Sequence, residues 1–290
     1  MKIAILGNTN KRENIEPVKV LLDVLQKKNA HISTDSGFFE FLQKEAIDLT
    51  AINEIVQDDN FDADMILSIG GDGTFLNTAC RIGSKGIPIL GINTGRLGFL
   101  ADVSICDITV AVNEIIDKNY LIEEHSVIQL QTNSPEFRTN PHALNEIAVL
   151  KQDTSSMLTI DVRVNNEYLN AYQADGLIIA TPTGSTAYSM SVGGPIVVPQ
   201  ADNLIISPVA PHSLSVRPLV IPDSWTIELS VKSRSKSFLV SLDGRSFVFE
   251  EEYKLTITKG DYTIKVVKRP NHTFFNTLKN KLIWGADVRS

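Results

Sequence analysis

The first 120 or so residues alternate short apolar runs with stretches in which apolar residues recur at helical spacing. A short apolar run bounded by turn residues is typical of a buried strand, and apolar residues three or four apart are typical of one helix face. The predicted strands cover 3–6, 65–69 and 87–92, and the predicted helices cover 17–25, 38–47 and 108–116. Strands and helices in alternation predict a parallel α/β sheet.

From about residue 122 the apolar and polar residues alternate one by one, which predicts half-buried β-strands rich in Val, Ile, Thr and aromatic residues. The predicted strands lie at 127–131, 147–150, 158–164, 225–231, 237–242, 247–249, 253–258 and 262–267, and a last helical pattern covers 274–284. We therefore predict an N-terminal parallel-sheet α/β domain over 1–123 and a β-rich domain over 124–268. A C-terminal tail over 269–290, whose helix returns to the first domain, completes this fold class.

Length and composition restrict the class of protein further. A chain of 290 residues is long enough for about two domains. Lysine and arginine number 27 and aspartate and glutamate 34, so the net charge of −7 disfavours general binding to nucleic acid. The chain has two cysteines, no signal-peptide pattern near its first residue and no apolar stretch long enough to cross a bilayer. We expect a cytoplasmic protein that binds neither nucleic acid nor membranes.

The most informative stretch follows the second predicted strand, where Gly70-Gly71-Asp72-Gly73 precedes an apolar helical pattern. Glycines let a ligand approach the backbone, and the amides at a helix N-terminus favour an anion such as phosphate. Asp72 either holds a cation, accepts a proton from a hydroxyl or caps the helix, and its context leaves these roles open. The segment is neither a Walker A motif nor a dinucleotide fingerprint, which would need glycine at position 76.

Three further segments have compositions that suit a nucleotide. The turn at 93–95 ends the next predicted strand, so it would lie beside the first loop at the carboxyl edge of the sheet. Five serine and threonine residues lie within nine positions at 181–189, where they offer many small hydrogen-bonding groups. Asn145-Glu146 precedes an apolar strand and suits a ribose diol. Taken alone, the turn at 93–95 and the Asn145-Glu146 dipeptide are more typical of ordinary turns, whereas so many hydroxyl residues at 181–189 are unusual for a plain loop.

Taken together, these segments resemble the NAD kinase family. The matching segments are 70–74, 93–99, 145–146, 175–178, 181–189, 193–195, 210–213 and 274–278, in that order along the chain. The resemblance implies transfer of a phosphoryl group from ATP, with Mg²⁺ or a similar divalent metal cation, to the 2′-hydroxyl of the adenosine ribose of NAD, producing NADP. It implies that Asp72 is the catalytic acceptor of the hydroxyl proton, which a weak base can be when the transition state is loose.

The resemblance also implies which residues bind the substrates. They are Gly70, Gly71, Asp72, Gly73, Asn93, Thr94, Asn145, Glu146, Asp175, Thr183, Thr186, Ala187, Tyr188, Ser189, Ser191 and Ala210. Arg245 either favours the extra phosphate of NADP or is a solvated turn residue. No protein ligand is assigned to the metal. Family members are typically dimers or tetramers, so the resemblance implies a homodimer or homotetramer in which residues around Asp175 can reach a neighbouring subunit's site.

Two other functions share some of these features. Lipid kinases have the same glycine-rich turn, but no basic amphipathic helix for a membrane surface is evident in this sequence. A nucleotide-sensing module would bind NAD or NADP without catalysis, and the intact Asp72 argues against it. The use of polyphosphate instead of ATP, and of NADH instead of NAD, stays open at this point.

Overall fold

The structure, a computed structural model, describes residues 1–9, 15–95, 98–152, 156–270 and 272–283. The chain forms two compact units, which we call unit 1 (Met1–Glu124 with the chain from Ile264 onward) and unit 2 (His125–Thr263). We propose that these units are the two domains that the sequence predicts. The predicted fold class is confirmed, since unit 1 has a parallel sheet with helices, unit 2 is β-rich and the last helix belongs to unit 1.

The described part of the chain contains eighteen strands and six α-helices. The strands are β1 (Lys2–Gly7), β2 (His31–Asp35), β3 (Glu54–Val56), β4 (Met65–Gly70), β5 (Ile89–Asn93), β6 (Ala101–Val103), β7 (Leu121–Thr132), β8 (His142–Ala143), β9 (Glu146–Lys151), β10 (Leu158–Val164), β11 (Glu167–Ala174), β12 (Gly176–Ala180), β13 (Asn203–Val209), β14 (Leu219–Pro222), β15 (Ile227–Lys232), β16 (Ser237–Leu242), β17 (Arg245–Glu250) and β18 (Leu255–Lys268). The helices are α1 (Ile15–Lys27), α2 (Ser36–Lys44), α3 (Asp72–Ile82), α4 (Ile108–Ile116), α5 (Tyr188–Ser191) and α6 (Phe274–Leu282). Among the described residues, no helix is long and apolar enough to span a membrane.

The sheet of unit 1 is parallel, in the order β3-β2-β1-β4-β5, and both β6 and the end of β18 pair with β5. Every residue of β4 and β5 is buried, which explains why these strands are continuous apolar runs in the sequence. Helix α1 buries Val18, Leu21 and Leu25 on one face, as its helical spacing predicts. Gly70 and Asn93 are register partners at the carboxyl ends of β4 and β5, so the loops that follow these strands start side by side.

Unit 2 is built from antiparallel strands. One ladder has the order β11-β10-β15-β18, and a six-stranded sheet has the order β14-β13-β12-β9-β16-β17. Alternate side chains of both form one apolar core, for example Ile160 and Val162 from β10 with Val149 from β9 and Val240 from β16. The two-residue alternation of the sequence is therefore the signature of strands with one face in this core.

One predicted turn is wrong, because β18 continues without interruption from Leu255 to Lys268 where the sequence predicts separate strands at 253–258 and 262–267. Gly260, which suggests a turn, instead permits a close approach, since a Cβ on it would lie 2.5 Å from Val127 Cγ2. The second predicted helix also ends earlier, at Lys44 and not at residue 47. The predicted end of the last helix, at residue 284, lies outside the described residues.

Candidate active site

The Gly-Gly-Asp-Gly turn joins β4 to α3 at the carboxyl edge of the unit 1 sheet. Gly71 is the cap residue before the helix, and Asp72 is the first helical residue, so glycine and not Asp72 occupies the cap position. Gly71 has no side chain to cap the helix amides. Among the described residues, leaving out the chain neighbours and the backbone of α3 itself, a Cβ built on Gly71 or Gly73 would find no atom within 4 Å. The described part of the chain therefore leaves room beside the backbone of the turn, as a site for a phosphate group at a helix N-terminus requires.

Three backbone amides bind the carboxylate of Asp72. Oδ2 accepts a hydrogen bond from the Phe99 amide at 2.9 Å, and Oδ1 accepts from the amides of Leu100 and Ala101 at 3.0 Å each. This approach depends on Gly98, because a Cβ there would overlap Asp72 Oδ1. The chain segment between β5 and β6 therefore fixes the orientation of the carboxylate.

Lys281, on α6, brings a positive charge to the same carboxylate. Its Nζ lies 3.5 Å from Asp72 Oδ2 and 4.6 Å from the centre of the Phe99 ring. The ring of Phe274, at the start of α6, also contacts Phe99, with ring centres 6.3 Å apart. The sequence predictions missed Lys281. The apolar pattern at 274–284 predicts a helix that packs on a core, but it does not show which loop a lysine of that helix reaches.

The loop after β5 lies next to the Asp72 turn, as predicted for neighbouring parallel strands. The amide of Thr94 donates to the Gly70 carbonyl at 3.2 Å, which ties the two loops together. Asn93 Oδ1 accepts from the Gly95 amide at 2.7 Å, and its Nδ2 donates to the Ala101 carbonyl at 3.3 Å. Both Asn93 and Thr94 are buried. The next residues of the matched segment, 96 and 97, lie outside the described residues.

In unit 2, Asn145 and Glu146 form a bend held by an acidic residue that the sequence predictions missed. One carboxylate oxygen of Asp243 accepts from the Leu144 amide at 2.6 Å, and the other accepts from the amides of Asn145 and Glu146 at 2.8 and 3.0 Å. Asn145 Oδ1 and Glu146 Oε2 are buried and have no hydrogen-bond partner among the described residues. Buried polar atoms are normally satisfied, so these two atoms indicate the position of a ligand.

Burial sets the protonation state of the two carboxyl groups at this bend. The pKa of Glu146 is raised to about 8, mainly by burial and also by the negative charge of Asp243, while a hydrogen bond from the Tyr188 amide opposes both effects. Burial also raises the pKa of Asp243, against the amide hydrogen bonds and the charge of Arg245. Glu146 is therefore mostly protonated at neutral pH and can donate, whereas Asn145 Oδ1 can only accept. This pair of groups matches a diol, whose hydroxyls both donate and accept.

The hydroxyl-rich segment packs beside the bend, because Thr181 donates from its amide to the Asn145 carbonyl at 2.9 Å. Most of its hydroxyl groups are used inside the unit. Thr183 Oγ1 bonds His125 Nδ1 at 2.9 Å, Ser189 Oγ bonds Ser207 Oγ at 3.0 Å, Ser191 Oγ donates to the Tyr188 carbonyl at 2.7 Å, and Thr186 Oγ1 donates to the Thr183 carbonyl at 3.3 Å. Ala187 and Thr186 are partly exposed and Tyr188 is exposed, so these three residues offer accessible surface.

Asp175 and Ala210 lie together at the ends of β11 and β13. The Asp175 amide donates to the Val209 carbonyl at 3.0 Å, and the Asp175 carboxylate forms an ion pair with Lys151 at 2.7 Å. Ala210 is exposed and has a left-handed backbone, with φ of 44°, which is uncommon for alanine.

Arg245 is not a solvated turn residue. It begins β17, directly after an Asp-Gly hairpin turn, and its side chain is partly buried. Its guanidinium donates to the carbonyls of Asn140 and His142 at 2.9 and 2.5 Å. These bonds hold the chain that leads into the Asn145 bend, so Arg245 supports the position of that bend.

Comparisons with known proteins cover both units. Residues 3–120 match the family model described as the ATP-NAD kinase N-terminal domain, and residues 144–269 match that described as the ATP-NAD kinase C-terminal domain. The NAD kinase of Bacteroides fragilis (strain ATCC 25285) is 53% identical over 289 residues, and that of Flavobacterium johnsoniae is 43% identical over 296 residues. Each of these matches covers 100% of both chains.

Two solved structures are similar to the whole chain. The yeast NADH kinase complexed with NADH has a TM-score of 0.89 at 20% identity and covers 100% of this chain and 89% of its own. At that identity the similarity shows the shared fold. An Archaeoglobus fulgidus NAD kinase in complex with ATP has a TM-score of 0.76 at 27% identity, covering 98% of this chain and 99% of its own.

Proposed function

The chain belongs to the ATP-NAD kinase family, and we propose that its Asp72 is the group that accepts the proton when NAD is phosphorylated by ATP. As a member of this family, the protein is a phosphotransferase that converts NAD to NADP. The phosphoryl acceptor is the 2′-hydroxyl of the adenosine ribose. The observation that carries the assignment of Asp72 is its position as the first residue of α3, at the carboxyl edge of the sheet, where three backbone amides orient a carboxylate that is still partly exposed.

The proposed step is a direct transfer. The ribose hydroxyl loses its proton to an oxygen of Asp72, its oxygen bonds to the γ-phosphorus, and the bond from that phosphorus to ADP breaks. A carboxylate is a weak base for an alcohol, but in a loose transition state the proton leaves late. Orientation of the reactants and neutralisation of the phosphates then contribute most of the rate enhancement.

We assign the phosphate site to the two loops of unit 1, with Gly70, Gly71, Gly73, Asn93 and Thr94 around it. Among the described residues, no group of three or more His, Cys, Asp or Glu side chains is arranged to hold a metal ion. Magnesium in phosphoryl-transfer sites is commonly bound by substrate phosphates and water with one or two carboxylates, which fits this arrangement. A divalent cation bound to ATP would neutralise charge on the transferred group.

NAD is proposed to bind unit 2 through the bend at Asn145 and Glu146. The unpartnered Asn145 Oδ1 and the protonated Glu146 support this assignment, because a ribose diol would satisfy both buried groups. The other proposed contacts fall into two groups, since those at 183–191 follow Thr181, which bonds the bend, whereas Asp175 and Ala210 lie at the opposite end of β12. They are Asp175, Thr183, Thr186, Ala187, Tyr188, Ser189, Ser191 and Ala210, with Arg245 as the support of the bend.

We also propose a homodimer or homotetramer in the cytoplasm. Unit 2 leaves several large apolar side chains exposed, among them Leu214 at 91%, Tyr168 at 59% and Val248 at 55%, which suits a surface covered by a second copy. Neither Cys80 nor Cys106 is in a disulfide, as expected in a reducing compartment. Light scattering after size-exclusion chromatography measures the oligomeric state, and a monomer at micromolar concentration would contradict this part.

The decisive experiment is a coupled assay in which NAD, ATP and Mg²⁺ are supplied and NADP is detected with an NADP-specific dehydrogenase. Asp72→Asn is expected to lower kcat by about 10²- to 10⁴-fold, the usual contribution of a general base. Asp62→Asn, an exposed carboxylate of the same unit, is the matched control. An Asp72→Asn variant with the kcat of the control would refute the role of Asp72. Repeating the assay with NADH and with polyphosphate determines acceptor and donor specificity.

A further inference from the structure

The carboxylate of Asp72 uses most of its capacity to accept hydrogen bonds on the backbone. A carboxylate has about four lone-pair sites, and here three amides use three of them, while the ammonium of Lys281 lies near the oxygen that has one site left. Oδ1 accepts two amide bonds, whereas Oδ2 accepts one and has Lys281 at 3.5 Å. The ion pair is the longest of these contacts. Oδ2 is therefore the oxygen that can receive a ribose proton, and Lys281 is the neighbour that must yield to the hydroxyl.

Lys281 is held in this position from several sides. Its side chain is 32% exposed and that of Asp72 is 29% exposed, so water screens the pair only in part. The ammonium lies over the Phe99 ring, which favours a cation. Helix α6 is anchored by the burial of Leu278 and by the contact of Phe274 with the same ring. The packed helix thus fixes where the side chain of Lys281 begins, and the partly exposed ammonium can move away from Oδ2 when the hydroxyl binds.

The reaction changes the charge that Lys281 faces. When Asp72 takes the proton it becomes neutral, and the ammonium loses its counter-ion. At the same moment a phosphoryl group with anionic oxygens becomes attached to the ribose oxygen, which lies about 2.7 Å from Oδ2 while the two share the proton. Among the contacts described for this carboxylate, Lys281 is the cation nearest to the anionic oxygens of the transferred group, and its own counter-ion has just been neutralised.

We propose that Lys281 is a second catalytic residue, whose ammonium neutralises Asp72 before the reaction and stabilises the transferred phosphoryl group during it. This inference rests on the proposed function. In the step, the O–H bond breaks and its proton goes to Asp72 Oδ2, while the ribose oxygen forms the new bond to the γ-phosphorus. The electron pair of the breaking bond leaves with ADP. Lys281 keeps all of its protons.

The test compares three variants in the coupled assay. Lys281→Met keeps the length of the side chain and its contact with Phe99 but removes the charge, whereas Lys281→Arg keeps the charge. Lys279→Met removes a lysine from the last turn of the same helix and serves as the matched control. For each variant kcat, the KM values for NAD and ATP, and the melting temperature are measured.

Lys281→Met is expected to lower kcat by about 10- to 100-fold, which is less than the roughly 10²- to 10³-fold typical of losing one buried transition-state contact, because the site is partly exposed. The KM for NAD is expected to stay within about threefold, since the contact forms with the transferred group and not with bound NAD. Lys281→Arg should recover kcat to within about fivefold of the wild type, and Lys279→Met should match the wild type. If Lys281 had a purely structural role, Lys281→Met would have a lower melting temperature, and Lys281→Arg would have no higher kcat than Lys281→Met.

Two results would overturn the inference while the proposed function stands. They are an active wild type whose Lys281→Met variant keeps its kcat, and a Lys281→Met variant with a higher kcat, which would mean that the lysine only blocks Asp72. A wild type that forms no NADP would refute the proposed function, and this inference with it.

Discussion

Replacing Glu146 with glutamine tests whether the buried carboxyl of unit 2 carries a proton at neutral pH. The pKa of Glu146 is raised from 4.5 to about 8 in the folded chain, mainly by burial. Between these two values the folded state binds more protons than the unfolded state, so raising the pH destabilises the protein across this window. Glutamine cannot ionise, and the variant should lose this part of the pH dependence.

The magnitude follows from the width of the window. At about 1.36 kcal/mol per pH unit, the interval from 4.5 to about 8 corresponds to about 5 kcal/mol as an upper limit. Glu146 is only half-buried by its surface area, so solvent screens part of its charge. We therefore expect the free energy of unfolding of Glu146→Gln, relative to the wild type, to increase by about 2–3 kcal/mol between pH 5 and pH 9.

Urea unfolding at pH 5, 7 and 9, followed by circular dichroism, measures this difference. Glu251→Gln, which removes an exposed carboxyl from a turn of the same unit, controls for the loss of a surface charge. A stability difference between Glu146→Gln and the wild type that stays constant from pH 5 to 9 would refute the reasoning. A difference that decreases as the pH rises would refute it as well, because it would mean that the fold favours the ionised form.

Two further predictions concern unit 1. Gly98→Ala should displace the Asp72 carboxylate, because the added Cβ would overlap Oδ1, and the coupled assay should show a kcat lowered by about 10²-fold or more. Gly73→Ala has space for the added methyl group among the described residues, so circular dichroism should show a normal fold. Lys268→Met should lower the free energy of unfolding by about 3–5 kcal/mol, because it leaves the buried Asp102 without its partner at 3.0 Å. Adding Asp102→Leu should restore much of the stability, and a double variant as unstable as Lys268→Met would contradict this reason.

Several elements could be predicted from the sequence because their pattern depends only on local geometry. Helix α4 was predicted at 108–116 and strand β10 at 158–164, and both have these bounds in the structure. Strand β13 was missed. It is an apolar run, but Pro208 within it argues against a strand with partners on both sides, and only the tertiary structure places it between β12 and β14. The prediction of a turn at Gly260 was wrong for a similar reason, since a glycine is found both in turns and where a neighbouring side chain, here Val127, lies close to the backbone.

The sequence by itself determined the family, the parallel sheet of unit 1 and the adjacency of the loops at 70–73 and 93–95, since parallel neighbours end at the same edge. It did not determine what holds the reactive groups. Asp243 is far along the chain from the bend that it orients, and Lys281 is equally remote from Asp72. The sequence around an acidic or basic residue can be the same whether its side chain lies in solvent or in a site. Only the packing of distant segments decides which charge is desolvated and which partner it meets, and that packing sets the chemistry of both groups.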